Sequence, residues 1–177
     1  MSPHFKIVLA GIVAATLASC STSRIEKCPP ASVLVDTGNL TVLRPGSAPD
    51  PANAIYMVQI ARAQQDCEQP KLGSRLVTAS VDIEFRARRA NAGAAATYAV
   101  PYFVAITSEG KILAKREFTV PFTFESGANM AEFSDSVNSL QVSLGRDKKA
   151  TDYGILVGFQ LTKAQLEFNR KIGRYAR

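Results

Sequence analysis

This sequence predicts an all-β fold: an immunoglobulin-like antiparallel sandwich of about seven to eight strands, closed by a short C-terminal helix. Three observations carry the prediction. Apolar and polar residues alternate with period 2 through several segments, most cleanly in Val77–Arg86 and Lys111–Phe124. Clusters of Gly, Pro, Asn, Asp and Ser separate those segments at the short intervals typical of a sandwich. A helical pattern appears only after Thr162.

The elements follow in order. Val33–Val35 and Leu40–Leu43 read as short strands on either side of Thr37-Gly38-Asn39. Arg44–Asn53 holds Pro45, Gly46, Pro49, Asp50 and Pro51 and reads as a loop. Ala54–Arg62 is a longer strand, with Ile55, Met57 and Ile60 among its apolar positions. Gln64–Ser74, with Cys67, Pro70 and Gly73, suits a connection. In Val77–Arg86 the residues Val77, Ala79, Val81, Ile83 and Phe85 share one face, and Thr78, Ser80, Asp82, Glu84 and Arg86 share the other.

Arg88–Thr97 is a loop rich in Ala, Gly and Asn. Tyr98–Thr107 and Lys111–Phe124 form a hairpin across Ser108-Glu109-Gly110. Pro101 and Pro121 lack an N–H donor, which places each at an edge or a bulge. Val137–Leu144 and Tyr153–Leu161 complete the strands.

The C-terminal segment changes period. Thr162-Lys163-Ala164-Gln165 is a capping box, with Thr at N-cap and Gln at N3, and Leu161 and Leu166 stand at the staple positions. Ala164, Phe168 and Ile172 stack at i, i+4 and i+8. Glu167 and Lys171 suit an i, i+4 pair. Arg170, Lys171 and Arg174 suit the negative end of the helix dipole, and Gly173 suits the stop.

The N-terminus is an address. Ile7–Ala18 is an apolar run of 12 residues after Lys6. A spanning helix needs about 20 apolar residues, whereas a 7–15-residue apolar stretch before small residues describes a secretory signal. Leu17-Ala18-Ser19-Cys20 closes the run. It resembles the lipobox of bacterial lipoprotein signal peptides. The rival is ordinary signal-peptidase cleavage at Leu-Ala-Ser, but a Cys directly after the small pair favours the lipobox.

The resemblance implies cleavage before Cys20 and acyl chains on its sulfur, each buried CH₂ contributing about 0.8 kcal/mol to membrane binding. Residues 1–19 are then a signal peptide, 20–27 a lipidated tether and 28–177 the folded domain. Ser21 stands where an inner-membrane retention Asp would be. That favours the periplasmic face of the outer membrane over the inner membrane.

Composition narrows the rest. Residues 20–177 make one domain, long enough to bury about 70% of its unfolded surface. Removing the signal lowers the formal charge from +6 to about +5, because only Lys6 goes. The chain holds three Cys. With Cys20 assigned to lipid, Cys28 and Cys67 remain as an even pair in an oxidising compartment and are expected to form a disulfide.

No catalytic set stands out. The one His is His4, inside the signal, so the mature chain has no imidazole for a Ser-His-Asp triad or a zinc site. Ser108-Glu109-Gly110-Lys111 matches S-x-x-K, but it sits in a hairpin turn rather than at a helix start. Asp82 and Glu84 lie about 6.5–7 Å apart along one strand face, within the range of glycosidase carboxyl pairs. Ser80, Arg86 and Arg88 share that face and make a solvated, mixed surface the better reading. No catalytic residue, metal or cofactor is assigned.

Two basic clusters are candidate contact surfaces. Arg86, Arg88 and Arg89 would join Lys115-Arg116 if their strands were neighbours. Arg170, Lys171 and Arg174 form the second cluster. Either suits lipid phosphate, polysaccharide or an acidic protein. An ordinary soluble surface accounts for both as well, and nucleic acid does not fit the compartment.

Leu40-Thr41-x-x-Arg44-Pro45-Gly46, Pro101-Tyr102-Phe103-Val104-Ala105 and Val157-Gly158-Phe159-Gln160-Leu161-Thr162 resemble segments of small, uncharacterised proteobacterial envelope lipoproteins. That resemblance implies no activity. The expectation is a lipid-anchored, non-enzymatic envelope module that binds or scaffolds another protein. A small-ligand or glycan-binding module is the alternative, and a carboxylate-dependent hydrolase ranks last.

Overall fold

The computed structural model describes residues 28–68 and 74–175, with side chains described as far as Ile172 in the final helix. The lipobox, Cys20 and the tether lie outside the described residues.

Eight strands form two packed four-stranded sheets. They are β1 (Ala31–Val33), β2 (Asn39–Leu43), β3 (Ala54–Glu68), β4 (Leu76–Arg88), β5 (Ala96–Ser108), β6 (Lys111–Phe124), β7 (Met130–Ser143) and β8 (Tyr153–Phe159), followed by helix α1 (Lys163–Tyr175). The first sheet has the order β2-β3-β4-β7 and the second β1-β8-β5-β6. All pairings are antiparallel except β1 with β8, which is parallel from Ala31 opposite Ile155 to Val33 opposite Val157. The immunoglobulin likeness is one of layers: neither sheet has the ABED or CFG order.

The core lies between the sheets, and alternation decides which side chains enter it. Val77, Ala79, Val81, Ile83 and Phe85 of β4 are all buried, as their spacing requires. Val100, Tyr102 and Val104 meet them from β5, and Ile155, Val157 and Phe159 from β8. Ring stacking continues the layer, with Phe133 parallel to Phe122 at 4.6 Å and to Phe85 at 5.0 Å.

β3 corrects the expected boundary: it continues to Glu68 rather than ending at Arg62, so Gln64–Glu68 is strand and not connection. Of its apolar positions Tyr56, Val58 and Ile60 point inward, while Ile55 and Met57 lie on the other face. The run Ala54–Val58 is apolar on both faces, so alternation alone does not set its phase; pairing with β2 and β4 does. A bulge at Ala61 then shifts the register between Ile60 and Arg62. Beyond it the odd residues Ala63 and Cys67 pack against the core.

That switch lets Cys67 reach across the sandwich. Cys28, ahead of β1 in the opposite sheet, forms the disulfide with Cys67, Cα to Cα 5.7 Å. Gln65, on the same face, accepts the Ala31 N–H at 3.2 Å.

The hairpin forms as expected, with Glu109 (φ 52°) and Gly110 (φ 73°) as its two central residues. Left-handed φ at both positions suits a type I′ turn. Pro121 lies on the edge strand β6. Pro101, expected at an edge or a bulge, instead lies on the inner strand β5 opposite Thr119 of β6, immediately before Tyr102, where the ladder to β8 ends opposite Phe159. β7 begins seven residues before the expected Val137. Its inward positions there are Ala131, Phe133 and Asp135, too mixed to show as an apolar face.

The capping box at α1 is in place. Thr162 N–H donates to Gln165 Oε1 at 2.9 Å, and Gln165 N–H donates to Thr162 Oγ1 at 3.3 Å. Phe168 is buried, Ile172 is half-buried and Ala164 is exposed, so only part of the expected stripe packs. The helix runs through Gly173 to Tyr175. Among the described residues, Glu167 and Lys171 make no ion pair; Arg170 instead reaches Asp36 at 2.8 Å. Asn169 donates to the carbonyls of Asp36 and Asn39 at 2.9 and 2.7 Å, which fixes the helix against the start of β2.

Candidate functional site

The outer face of the first sheet carries the site. Registers place Asn39, Gln59, Arg86 and Glu132 in one row across β2, β3, β4 and β7. The next row toward the upper loops is Thr41, Met57, Arg88 and Met130. Pro51 and Ala52, from a 3-10 turn at Pro51–Asn53, wall one end. Asp50 caps that turn by accepting the Ala52 N–H at 2.8 Å. Asn39, Gln59 and Arg86 of the first row and Met57, Arg88 and Met130 of the second, with Pro51 and Ala52, line an open groove of about 850 Å³.

The three clustered arginines divide into different roles. Arg86 pairs with Glu132 across the strands, Nε to Oε1 2.8 Å, with both side chains exposed. Such a surface pair contributes at most about 1 kcal/mol and leaves the guanidinium open to a ligand. Arg88 is exposed, has no acidic partner among the described residues, and touches the Met57 sulfur at 3.8 Å. Met130 stands opposite it, 53% exposed. Cation and thioethers thus share one surface.

Arg89 is not a free contact residue, which corrects its place in the expected patch. Its Nε and Nη2 donate to the Ala128 carbonyl at 2.9 and 2.7 Å. Nη1 donates to Ala94 at 2.9 Å, and Nη2 also reaches Gly93 and Glu125. The guanidinium lies over the Phe124 ring at 4.8 Å. Its donors are spent on joining two loops at the groove's end.

The other cationic residues do not converge here. Lys115 and Arg116 lie on β6 of the second sheet, so they cannot meet the β4 arginines. Lys115 donates to Gln160 at 2.7 Å and to Glu117 at 3.1 Å. Arg116 covers the Phe118 ring at 5.2 Å. Arg170 is held by Asp36, and Lys171 is exposed beside it. The Arg174 side chain lies outside the described residues. The helix does approach the groove at one point, Asn39, whose carbonyl Asn169 holds.

The carboxylates are engaged separately. Ser136 Oγ donates to Asp82 at 2.5 Å, and Glu84 faces Arg62 at 4.0 Å. The Ser108 hydroxyl donates to the Asp152 carbonyl at 3.1 Å rather than facing a base. Among the described residues no group of three or more His, Cys, Asp or Glu is placed to hold a metal.

Tyr56 closes the groove floor from the core side, and burial, then the neighbouring Tyr98, raises its phenol pKa. Sequence reading found Arg86 and Arg88 but missed Met57, Gln59 and Met130. Their common face becomes visible only once the phase of β3 and the start of β7 are known. No family model, curated protein or solved structure matches this chain.

Proposed function

We propose that this chain is a lipid-anchored, non-enzymatic module of the bacterial envelope that holds another protein in the groove over β2-β3-β4-β7. The observation that carries the reading is the pairing of Arg86 and Arg88 with Met57 and Met130 on one open, concave surface. Arg and Met are enriched at protein interfaces, and thioethers adapt to varied partners. Arg88, with no acidic partner among the described residues, favours a partner presenting a carboxylate.

The anchoring half of the reading rests on Leu17-Ala18-Ser19-Cys20, and Ser21 favours the outer membrane's periplasmic face. A second reading, a small acidic ligand or glycan, draws on the groove's size, which lies within the roughly 300–1,000 Å³ common to ligand sites.

A photo-crosslinking residue at position 130, in intact cells, tests the first reading. It should give one discrete adduct with another envelope protein, lost in Arg88→Glu. Adducts confined to glycan or small molecules would transfer the groove to the second reading. The anchor is tested separately: Cys20→Ala should abolish acyl labelling and membrane retention.

A further inference from the structure

One surface is not used by the groove. The β5–β6 hairpin ends in two exposed apolar residues, Ile112 at 63% and Leu113 at 56%. A register shift lets Thr107 face Ile112 while Ile106 faces Ala114, so Leu113 is the extra residue of a bulge. Neither side chain is covered by the sandwich. An exposed Ile-Leu pair on an edge strand is an aggregation liability unless something covers it.

Cations lie at the same end of the sandwich. Lys111 precedes the pair, and the loop between β7 and β8 brings exposed Arg146 and Lys149 to the same end. That loop is tied to the turn by an ion pair between Lys148 and Glu109. Asp147 and Asp152 also lie there, and Asp152 accepts the Lys149 N–H at 2.7 Å.

The tip shares one end of the sandwich with Cys28. Ser108 is opposite Tyr153, the first residue of β8, and the Pro30 carbonyl accepts from Ile155 N–H. β1 therefore begins at the end where the hairpin turns. Cys67, near the end of β3, closes the disulfide to Cys28 at that same end. Residues 21–27 then separate Cys28 from Cys20, a span of at most about 25 Å when extended.

We infer that the Ile112-Leu113 tip, with Lys111 before it and Arg146 and Lys149 at the same end of the sandwich, inserts into the headgroup region of the bilayer that anchors Cys20. This rests on the lipid-anchored reading above. Apolar side chains enter the acyl boundary while the cations meet anionic headgroups. The contact stands the sandwich upright. The groove, ten residues along β4 from Thr78 to Arg88, is then held about 33 Å farther from the lipid.

The chain contains no Trp, which supplies a clean probe. Mature Cys20–Arg177 carrying Leu113→Trp is coupled through Cys20 to a maleimide lipid in phosphatidylethanolamine–phosphatidylglycerol vesicles. Cys28 and Cys67 are in their disulfide and do not react. The emission should shift to the blue, and lipids brominated near the headgroup should quench it several-fold more than Met130→Trp at the other end. Exchanging phosphatidylglycerol for phosphatidylcholine should reduce the difference.

Equal, weak quenching at 113 and 130 would overturn the proposal. So would a blue shift that depends on protein concentration and needs no vesicles, because a second copy would then cover the tip. Coupling in vitro keeps this result independent of natural acylation. Acyl labelling of Cys20 in cells decides the anchored reading by itself.

Discussion

Tyr102, on β5 of the second sheet, crosses the core and donates its phenol to Asp135 Oδ2 on β7 of the first, at 2.7 Å. The ring is fully buried, while Asp135 is half-exposed. A core tyrosine thereby satisfies its hydroxyl, and an inward-facing aspartate gains a donor. Removing the hydroxyl in Tyr102→Phe should cost about 1–2 kcal/mol, because water at the half-exposed carboxylate replaces part of the bond. Urea melts at neutral pH measure it.

The same tyrosine sets an alkaline limit. Burial first, then the hydrogen bond to Asp135 and its charge, raises the Tyr102 pKa well above its ordinary value. Burial and Tyr98 raise Tyr56 as well. Both phenols keep their protons in the folded chain at pH values where the unfolded chain loses them, near pH 10 and above. Their stabilisation is complete below that range and is lost as pH rises through the folded pKa. Melts from pH 8 to 11 should show falling stability, with a shallower fall in Tyr102→Phe. An unchanged slope in both Tyr102→Phe and Tyr56→Phe would sink this account.

Arg89 clamps the 93–94 and 125–128 loops through four backbone carbonyls and the Phe124 ring. Arg89→Ala should cost about 2–3 kcal/mol, since several carbonyls lose a charged donor together. Lysine has no planar fork and should not rescue it. By contrast, Arg88→Ala should leave stability within about 0.5 kcal/mol. Parallel denaturant melts separate the structural arginine from the free one.

Gly158 is required by close approach. A Cβ there would lie 2.1 Å from Thr37 Oγ1 and 2.9 Å from the Phe103 ring. Gly158→Ala should therefore push the Val35–Thr37 turn off β8 and cost about 1–3 kcal/mol. Adding Thr37→Ser, which keeps the hydroxyl, should not rescue it; Thr37→Gly should restore part of the loss.

Cys28→Ala/Cys67→Ala should lower stability by about 3–4 kcal/mol, the chain-entropy value for a bridge spanning 39 residues. A loss below about 1 kcal/mol would show that native strain offsets the constraint. Thermal melts of the oxidised chain and the double variant decide it.

Local pattern made much of the fold legible. β4 is two residues longer than Val77–Arg86 at its C-terminal end and one longer at its N-terminal end. Its alternation is clean because one face meets solvent. Thr162 and Gln165 bond as their spacing implies, because a capping box closes within one turn. β3 and β7 were harder. β3 is apolar on both faces near Met57, and β7 places Asp135 inward, so each hides its period.

The candidate site was legible only in part. Arg86 and Arg88 stood out as charges, but nothing in the sequence separated them from Arg89, which neighbouring carbonyls consume. Met57 and Met130 belong to strands whose phase depends on their partners.

By itself the sequence determined strand β4, the β5–β6 turn, the final helix and the even pair Cys28 and Cys67, because these depend on residues a few positions apart or on a count. It misplaced β1, which is Ala31–Val33 rather than Val33–Val35, and the ends of β3 and β7. Only the tertiary structure decided which sheet each strand joined, that Ala61 bulges to aim Cys67 at Cys28, and that Arg88 meets Met130 while Arg116 does not. Strand pairing is non-local, and a one-residue change of register reverses every side chain's face.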